Sequence, residues 1–150
     1  NSYGELGLGD TLVRGQATDE MGNNLPDVDF GITSGVSCSA GDYHTCVLLS
    51  DGNVKCWGYN LNGQLGLEDQ SDRGNAAGHM GDLLPVVDLG YDNGVPAVAV
   101  SVSCGGQYTC ALLMSGKAKC WGENNYGNIG VGAAGARGAN PGEMGDNLPA

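Results

Sequence analysis

Apolar residues in this chain fall in short runs broken by glycine, not in helical stripes. The clearest pair is Thr45–Leu49 and Asn53–Trp57, two β-compatible segments joined by Ser50-Asp51-Gly52. A three-residue loop of that kind is a type I turn followed by a glycine in the left-handed region. Counting outward from Leu49 opposite Asn53 sets Leu48 against Val54, Val47 against Lys55 and Cys46 against Cys56. Val47 and Leu49 are apolar on one parity and Cys46 and Leu48 on the other, so both faces of this hairpin are expected to be covered. The stretch Thr45–Gly66 returns as Thr109–Gly130 with 12 of 22 positions identical, and Met114-Ser115-Gly116 repeats the turn. Upstream lie Val36–Ser39 and its match Ala97–Ser103, where Val98, Val100 and Val102 alternate with Ala99, Ser101 and Ser103. That alternation predicts a strand with one bulky and one small face. Val28–Phe30, after a Leu-Pro pair, is a further strand candidate.

The self-similarity extends through the whole chain. Trp57, Gly63 and Met80 recur 64 residues later as Trp121, Gly127 and Met144. Asn1, Gly7, Arg14, Met21 and Pro26 recur 59 residues later as Asn60, Gly66, Arg73, Met80 and Pro85, so one short insertion separates the two periods. The units run approximately over 1–35, 36–94 and 95–150, the first and last partial, and the chain is expected to be a piece of a longer array. Each unit reads as about four short antiparallel strands covered on both faces. Repetition of such a sheet at a fixed period is the pattern of a β-propeller, here one partial propeller over 1–150.

The run His44–Gly66, H-T-C-V-L-L-S-D-G-N-V-K-C-W-G-Y-N-L-N-G-Q-L-G, resembles the repeat of the regulator of chromosome condensation family, and the resemblance holds in register over essentially all 150 residues. It implies a propeller, typically of about seven blades, of which about two and a half are present. Paired hairpin cysteines and the segments Met80–Pro85 and Met144–Pro149 are similar to secreted bacterial and algal members rather than to the nuclear exchange factor that gave the family its name. An extracellular or cell-surface location is what this implies.

Composition sharpens the class. Glycine occupies 28 of 150 positions but at fixed places in the repeat, which marks a turn-rich β protein rather than a flexible linker. A formal charge of −11 repels phosphate backbones, so no nucleic-acid partner is expected. The longest apolar run, Val95–Val100 with small residues on to Cys104, is far short of a membrane span, so no membrane insertion is expected either.

Candidate chemistry is sparse. Cys46 with Cys56 and Cys110 with Cys120 stand on non-hydrogen-bonded cross-strand sites, close enough for disulfides; free core thiols or a metal site are the alternatives, and the spacing lacks zinc-type clustering. Cys38 and Cys104 remain. They fall on neighbouring strands of adjacent units, and a bridge between them is the expectation; the alternative leaves either one free or joined elsewhere. Arg14, Arg73 and Arg137 share one repeat position, as do Trp57 and Trp121, and a residue supplied by every unit has a structural job: holding its loop, or filling the blade core with the indole N–H paired. His44 and His79 match Tyr108 and Glu143, so neither belongs to a repeated pair, and His44 reads as a turn residue. Asp69, Asp72, Asp82 and Asp146 are oxygen donors without a calcium-loop spacing.

No catalytic, cofactor-binding or metal residues are therefore assigned, and no enzyme activity is expected. The leading function is a structural or interaction module working through a protein partner or self-assembly. The alternatives are a secreted inhibitor or receptor-like binder using unit-specific loop residues such as Tyr59, Leu61, Tyr91 and Tyr126, and guanine-nucleotide exchange on a small GTPase.

Overall fold

A computed structural model describes residues 1–150. Its regular structure is almost entirely β. Strands β1 (Gly35–Ala40), β2 (His44–Leu49) and β3 (Val54–Gly58) form one antiparallel sheet, and β4 (Tyr91–Asp92) and β5 (Val95–Pro96) a small ribbon. Strands β6 (Ala99–Cys104), β7 (Tyr108–Leu113) and β8 (Ala118–Gly122) form the second sheet. The β2–β3 and β7–β8 hairpins have the register set by their three-residue loops, with Cys46 opposite Cys56 and Cys110 opposite Cys120. The closing glycines Gly52 and Gly116 take φ of +82° and +87°, which a side chain would strain.

The sheets differ from the sequence reading in two ways. Each has three laddered strands, and a discontinuous edge stands in for the fourth. At one end of β3, Gly58 and Arg73 exchange both main-chain bonds (2.9 and 3.1 Å); at the other, Val87 donates to the Val54 carbonyl at 2.8 Å. Val28–Phe30 forms no strand. The Asp29 carbonyl accepts the Gly81 N–H and the Phe30 carbonyl accepts the Lys55 ammonium, so this segment is tied to the loop and hairpin of the next unit. The second difference is a bulge. Ala99 pairs with Leu113 and Ser101 with Leu112, so the extra residue Val100 is turned outward, 46 % exposed. The inward residues become Ala99 and Val102, and the expected alternation of bulky and small faces is broken. A matching bulge turns Val36 outward in β1.

The five extra residues that stretch the repeat from 59 to 64 correspond to the β4–β5 ribbon, turned by Asn93-Gly94 with both φ positive, the preferred pair for a tight hairpin.

The two sheets stack face to face. Cys46, Leu48, Val54 and Cys56 of the first meet Ala111, Leu113 and Trp121 of the second in a core that also takes in Leu65, Val87, Leu89, Met144 and Leu148. The other face of the first sheet, Val47, Leu49 and Trp57, packs on Leu84, Val28, Phe30 and Met80. Both faces of this hairpin are thus covered, as its two apolar parities demand. No helix is long and apolar enough to cross a membrane.

Candidate functional site

The seam between successive units gathers most of the repeated polar side chains. In the first seam the Glu5 carbonyl accepts both the Thr45 hydroxyl (2.9 Å) and the Trp57 indole N–H (2.9 Å). In the second the Gln64 carbonyl accepts the Thr109 hydroxyl (2.9 Å) and the Trp121 indole N–H (3.0 Å). One main-chain oxygen of each unit is thereby held by two side chains of the next. The turn that presents it requires glycine: a Cβ on Gly66, φ +69°, would lie 2.8 Å from Trp121 Nε1. Trp57 and Trp121 are accordingly core aromatics with a paired N–H.

Sequence reasoning passed over two further repeated groups. Lys55 and Lys119 are buried, and their ammonium groups donate to the Gly81 carbonyl at 2.8 Å and the Gly145 carbonyl at 2.7 Å, anchoring the 3₁₀ turns Gly81–Leu83 and Gly145–Asn147. Their signal was the invariant Lys-Cys-Trp-Gly in the two hairpins. Asn60 and Asn124, fully buried, each accept an N–H five residues on and donate to a carbonyl nine residues on.

The arginines tie loops unequally. Arg73 pairs with Asp69 at 2.6 Å and donates to the Ser71 carbonyl at 2.8 Å; Arg14 pairs with Asp10 at 2.8 Å. Arg137 reaches the Ala136 carbonyl at 3.2 Å, and Ala133 stands where the first two units carry aspartate.

Both hairpin disulfides, Cys46–Cys56 and Cys110–Cys120, are formed. The expected Cys38–Cys104 bridge is not: both are free thiols. Cys104 Sγ is directed at the Ser39 carbonyl, 3.3 Å away, while Cys38, one residue along β1, is exposed. The Cys104 thiol is directed inward, toward Cys46 and His44, whereas Cys38 is turned to solvent, so the two thiols do not face each other.

His44 is not a turn residue. It opens β2 with its ring buried, and Nε2 lies 2.9 Å from Thr109 Oγ1. The Thr109 hydrogen is directed at the Gln64 carbonyl, so Nε2–H is the donor to Oγ1, leaving Nδ1 without a partner. Burial lowers the His44 pKa to about 4, against a smaller opposing effect of Asp42. His79 lies apart, in the turn before Met80.

The four aspartates considered as calcium donors each accept a main-chain N–H: Asp69 from Ser71, Asp72 from Asn60, Asp82 from Ile32 and Asp146 from Tyr91. His44, Cys46 and Cys104 bring a ring nitrogen and two sulfurs within 4.8 Å of one another, but Cys46 is held in the disulfide and has no thiolate to offer a metal.

Among the unit-specific loop residues, Leu61, Tyr91 and Tyr126 are exposed, whereas Tyr59 packs against Tyr3 (ring centroids 4.6 Å apart) and Tyr43 (6.3 Å). The corresponding positions of the next seam are Asn62, Gln107 and Glu123, with Asn62 donating to Gln107. An aromatic cluster thus marks one seam only.

Two sequence-family models, both described as "Regulator of chromosome condensation (RCC1) repeat", match residues 36–64 with 99–128 and residues 51–112, so the match runs unbroken over more than half of the chain. The human "Probable E3 ubiquitin-protein ligase HERC4" is 32% identical over 130 residues, 87% of this chain and 11% of that protein. The "Ultraviolet-B receptor UVR8" of Arabidopsis thaliana is 33% identical over 95 residues, 63% of this chain and 19% of its own. The crystal structure of human WBSCR16 superposes with a TM-score of 0.63 at 23% identity, over 93% of this chain and 32% of that one. The chain therefore spans a small part of the length of the relatives it matches.

Proposed function

Since the chain belongs to the regulator of chromosome condensation repeat family and forms part of its all-β propeller, we propose that it serves as a non-enzymatic structural and interaction module of a secreted or cell-surface protein. The observation that carries this reading is the pair of hairpin disulfides, which suits an oxidising compartment. The repeated polar side chains support the non-enzymatic part: Thr, Trp, Lys and Asn are occupied in joining units or fixing turns, leaving no pair of repeated groups to act on a substrate. Relatives named as a ligase and as a light receptor carry the same repeat, so the fold by itself selects no activity.

A second reading, a secreted binder, is favoured by the Tyr3–Tyr43–Tyr59 cluster, since aromatics confined to one seam are what a partner-specific rim requires. Guanine-nucleotide exchange on a small GTPase is the third reading and draws only on the family name.

The test is to block thiols with a maleimide in living source cells, then map disulfides and surface accessibility of the full-length protein. Intact Cys46–Cys56 and Cys110–Cys120 together with digestion by an external protease are expected. A reduced protein in the cytosol, or acceleration of nucleotide release from a small GTPase, overturns the proposal. Loss of partner capture by Tyr43→Ala at unchanged stability would select the binder reading.

A further inference from the structure

Three cysteine sulfurs meet where the two sheets stack. Cys46 and Cys56 form the first hairpin's disulfide, and Cys104, the last residue of β6, is a free thiol. Its sulfur lies within 4.8 Å of Cys46 Sγ and of a ring nitrogen of His44. The thiol is oriented across the seam by two bonds to Ser39: the Cys104 N–H donates to Oγ at 2.9 Å and the S–H to the carbonyl at 3.3 Å. Ser39 stands directly opposite Cys46 in the β1–β2 ladder, so the group that directs the thiol is the neighbour of the disulfide sulfur. The Thr109 hydroxyl is 3.7 Å from Cys46 Sγ, and the unpartnered Nδ1 of His44 is buried in the same seam. The folding plan of the repeat does not call for this thiol: one unit earlier the position of Cys104 is Ala40.

We propose that Cys104 and the Cys46–Cys56 disulfide form a thiol–disulfide exchange site that moves the first hairpin's cross-link onto the seam between units. The Cys104 thiolate attacks Cys46 Sγ, the Cys46–Cys56 bond breaks and a Cys46–Cys104 bond forms. Cys56 leaves as a thiolate and takes up a proton in place of the one Cys104 released, so one S–S bond is exchanged for another with no net oxidation and no outside oxidant. His44 stays neutral beside the sulfurs, so the proton that Cys104 gives up and the one that Cys56 takes up are exchanged with the buffer. The exchanged bond joins β2 to β6, turning a staple within one hairpin into a covalent tie between two stacked sheets. Burial pushes the Cys104 thiol up, opposed by its hydrogen bonds to Ser39 and Thr109. The titratable groups around it are His44 on β2 and Cys38 on β1, with Asp42 acting on His44 from the loop between. Exchange is therefore best observed in mildly alkaline buffer, where more of the thiol is ionised.

The test holds the chain without added reductant in mildly alkaline buffer, quenches with acid, alkylates with a maleimide in denaturant and digests without reduction. Trypsin separates Cys46 from Cys56 at Lys55, and chymotrypsin separates Cys104 from Cys110 at Tyr108. A Cys46–Cys104 peptide with maleimide on Cys56 is expected beside the original pair, and it disappears in Cys104→Ser. The Cys110–Cys120 peptide, with no third cysteine beside it, should stay intact throughout. In Cys56→Ser, oxidised glutathione should close Cys46 to Cys104 in the folded chain, read as a disulfide-linked Cys46–Cys104 peptide that carries neither maleimide nor glutathione. Label confined to Cys38 and Cys104 in the wild-type chain at all times, or persistent label on both Cys46 and Cys104 in Cys56→Ser, overturns the proposal.

Discussion

At residue scale, His44 and Thr109 show how a buried polar pair is made tolerable. Thr109 donates to Gln64 and accepts from His44, leaving the imidazole neutral with its pKa lowered to about 4 by burial. A folded value below the ordinary 6.5 means that the unfolded chain takes up the proton first as pH falls. The contribution of His44 to stability is then full above about pH 6.5 and lost as pH drops through about 4, at roughly 1.4 kcal/mol per unit of displacement. His44→Gln should flatten the denaturant-measured stability profile across that window, and NMR should find the imidazole midpoint near 4; a midpoint near 6.5 contradicts the assignment. Thr109→Val removes two hydrogen bonds and strands the His44 donor, so it should cost about 1–3 kcal/mol in urea unfolding. Trp121→Phe, which leaves Thr109 on the same carbonyl, should cost about 1 kcal/mol. The sequence made the indole legible because tryptophan repeats. The buried role of His44 is not legible locally, because its counterpart is Tyr108 and its partner lies 65 residues away, beyond any local pattern.

At the scale of elements, hairpin register, turn type and both disulfides followed from residues within one 22-residue stretch, because a short loop fixes pairing locally. The discontinuous outer edge of the sheet and the bulges did not follow. Pairing of Arg73 with Gly58, and rotation of Val100 outward, depend on which distant main-chain groups remain free. The same inequality between units yields two predictions. Arg73→Ala breaks an ion pair and a carbonyl contact and should lower stability by about 1 kcal/mol, whereas Arg137→Ala, lacking a carboxylate, should change it less. Thermal melts of the two variants check the order. In the first hairpin Cys46 and Cys56 are wholly buried and Leu48 is 5 % exposed; in the second the disulfide is half-buried and Leu112 is 42 % exposed. A water-soluble phosphine should reduce Cys110–Cys120 first, as timed alkylation and mass mapping would show. Equal rates would mean that the two sheets open together.

At the scale of the molecule, a charge of −11 over 150 residues is repulsive across the folded surface. Raising salt from about 10 mM to about 0.5 M screens those charges within a few ångströms and should raise Tm. A fall in Tm would show that ion pairs such as Arg73–Asp69 outweigh the repulsion. The seam bonds have a further consequence for how such an array can change. Glu5 and Gln64 offer the same socket, and Thr45 with Trp57 and Thr109 with Trp121 are the same plug. Each unit carries a plug on its hairpin and a socket on the turn that follows, so its two joints are interchangeable with its neighbour's. Duplication or loss of one whole unit in a gene leaves every plug seated, whereas loss of part of a unit separates a plug from its socket and strands a buried indole and a hydroxyl. Growth by whole-unit copying is thus built into where two hydrogen bonds fall.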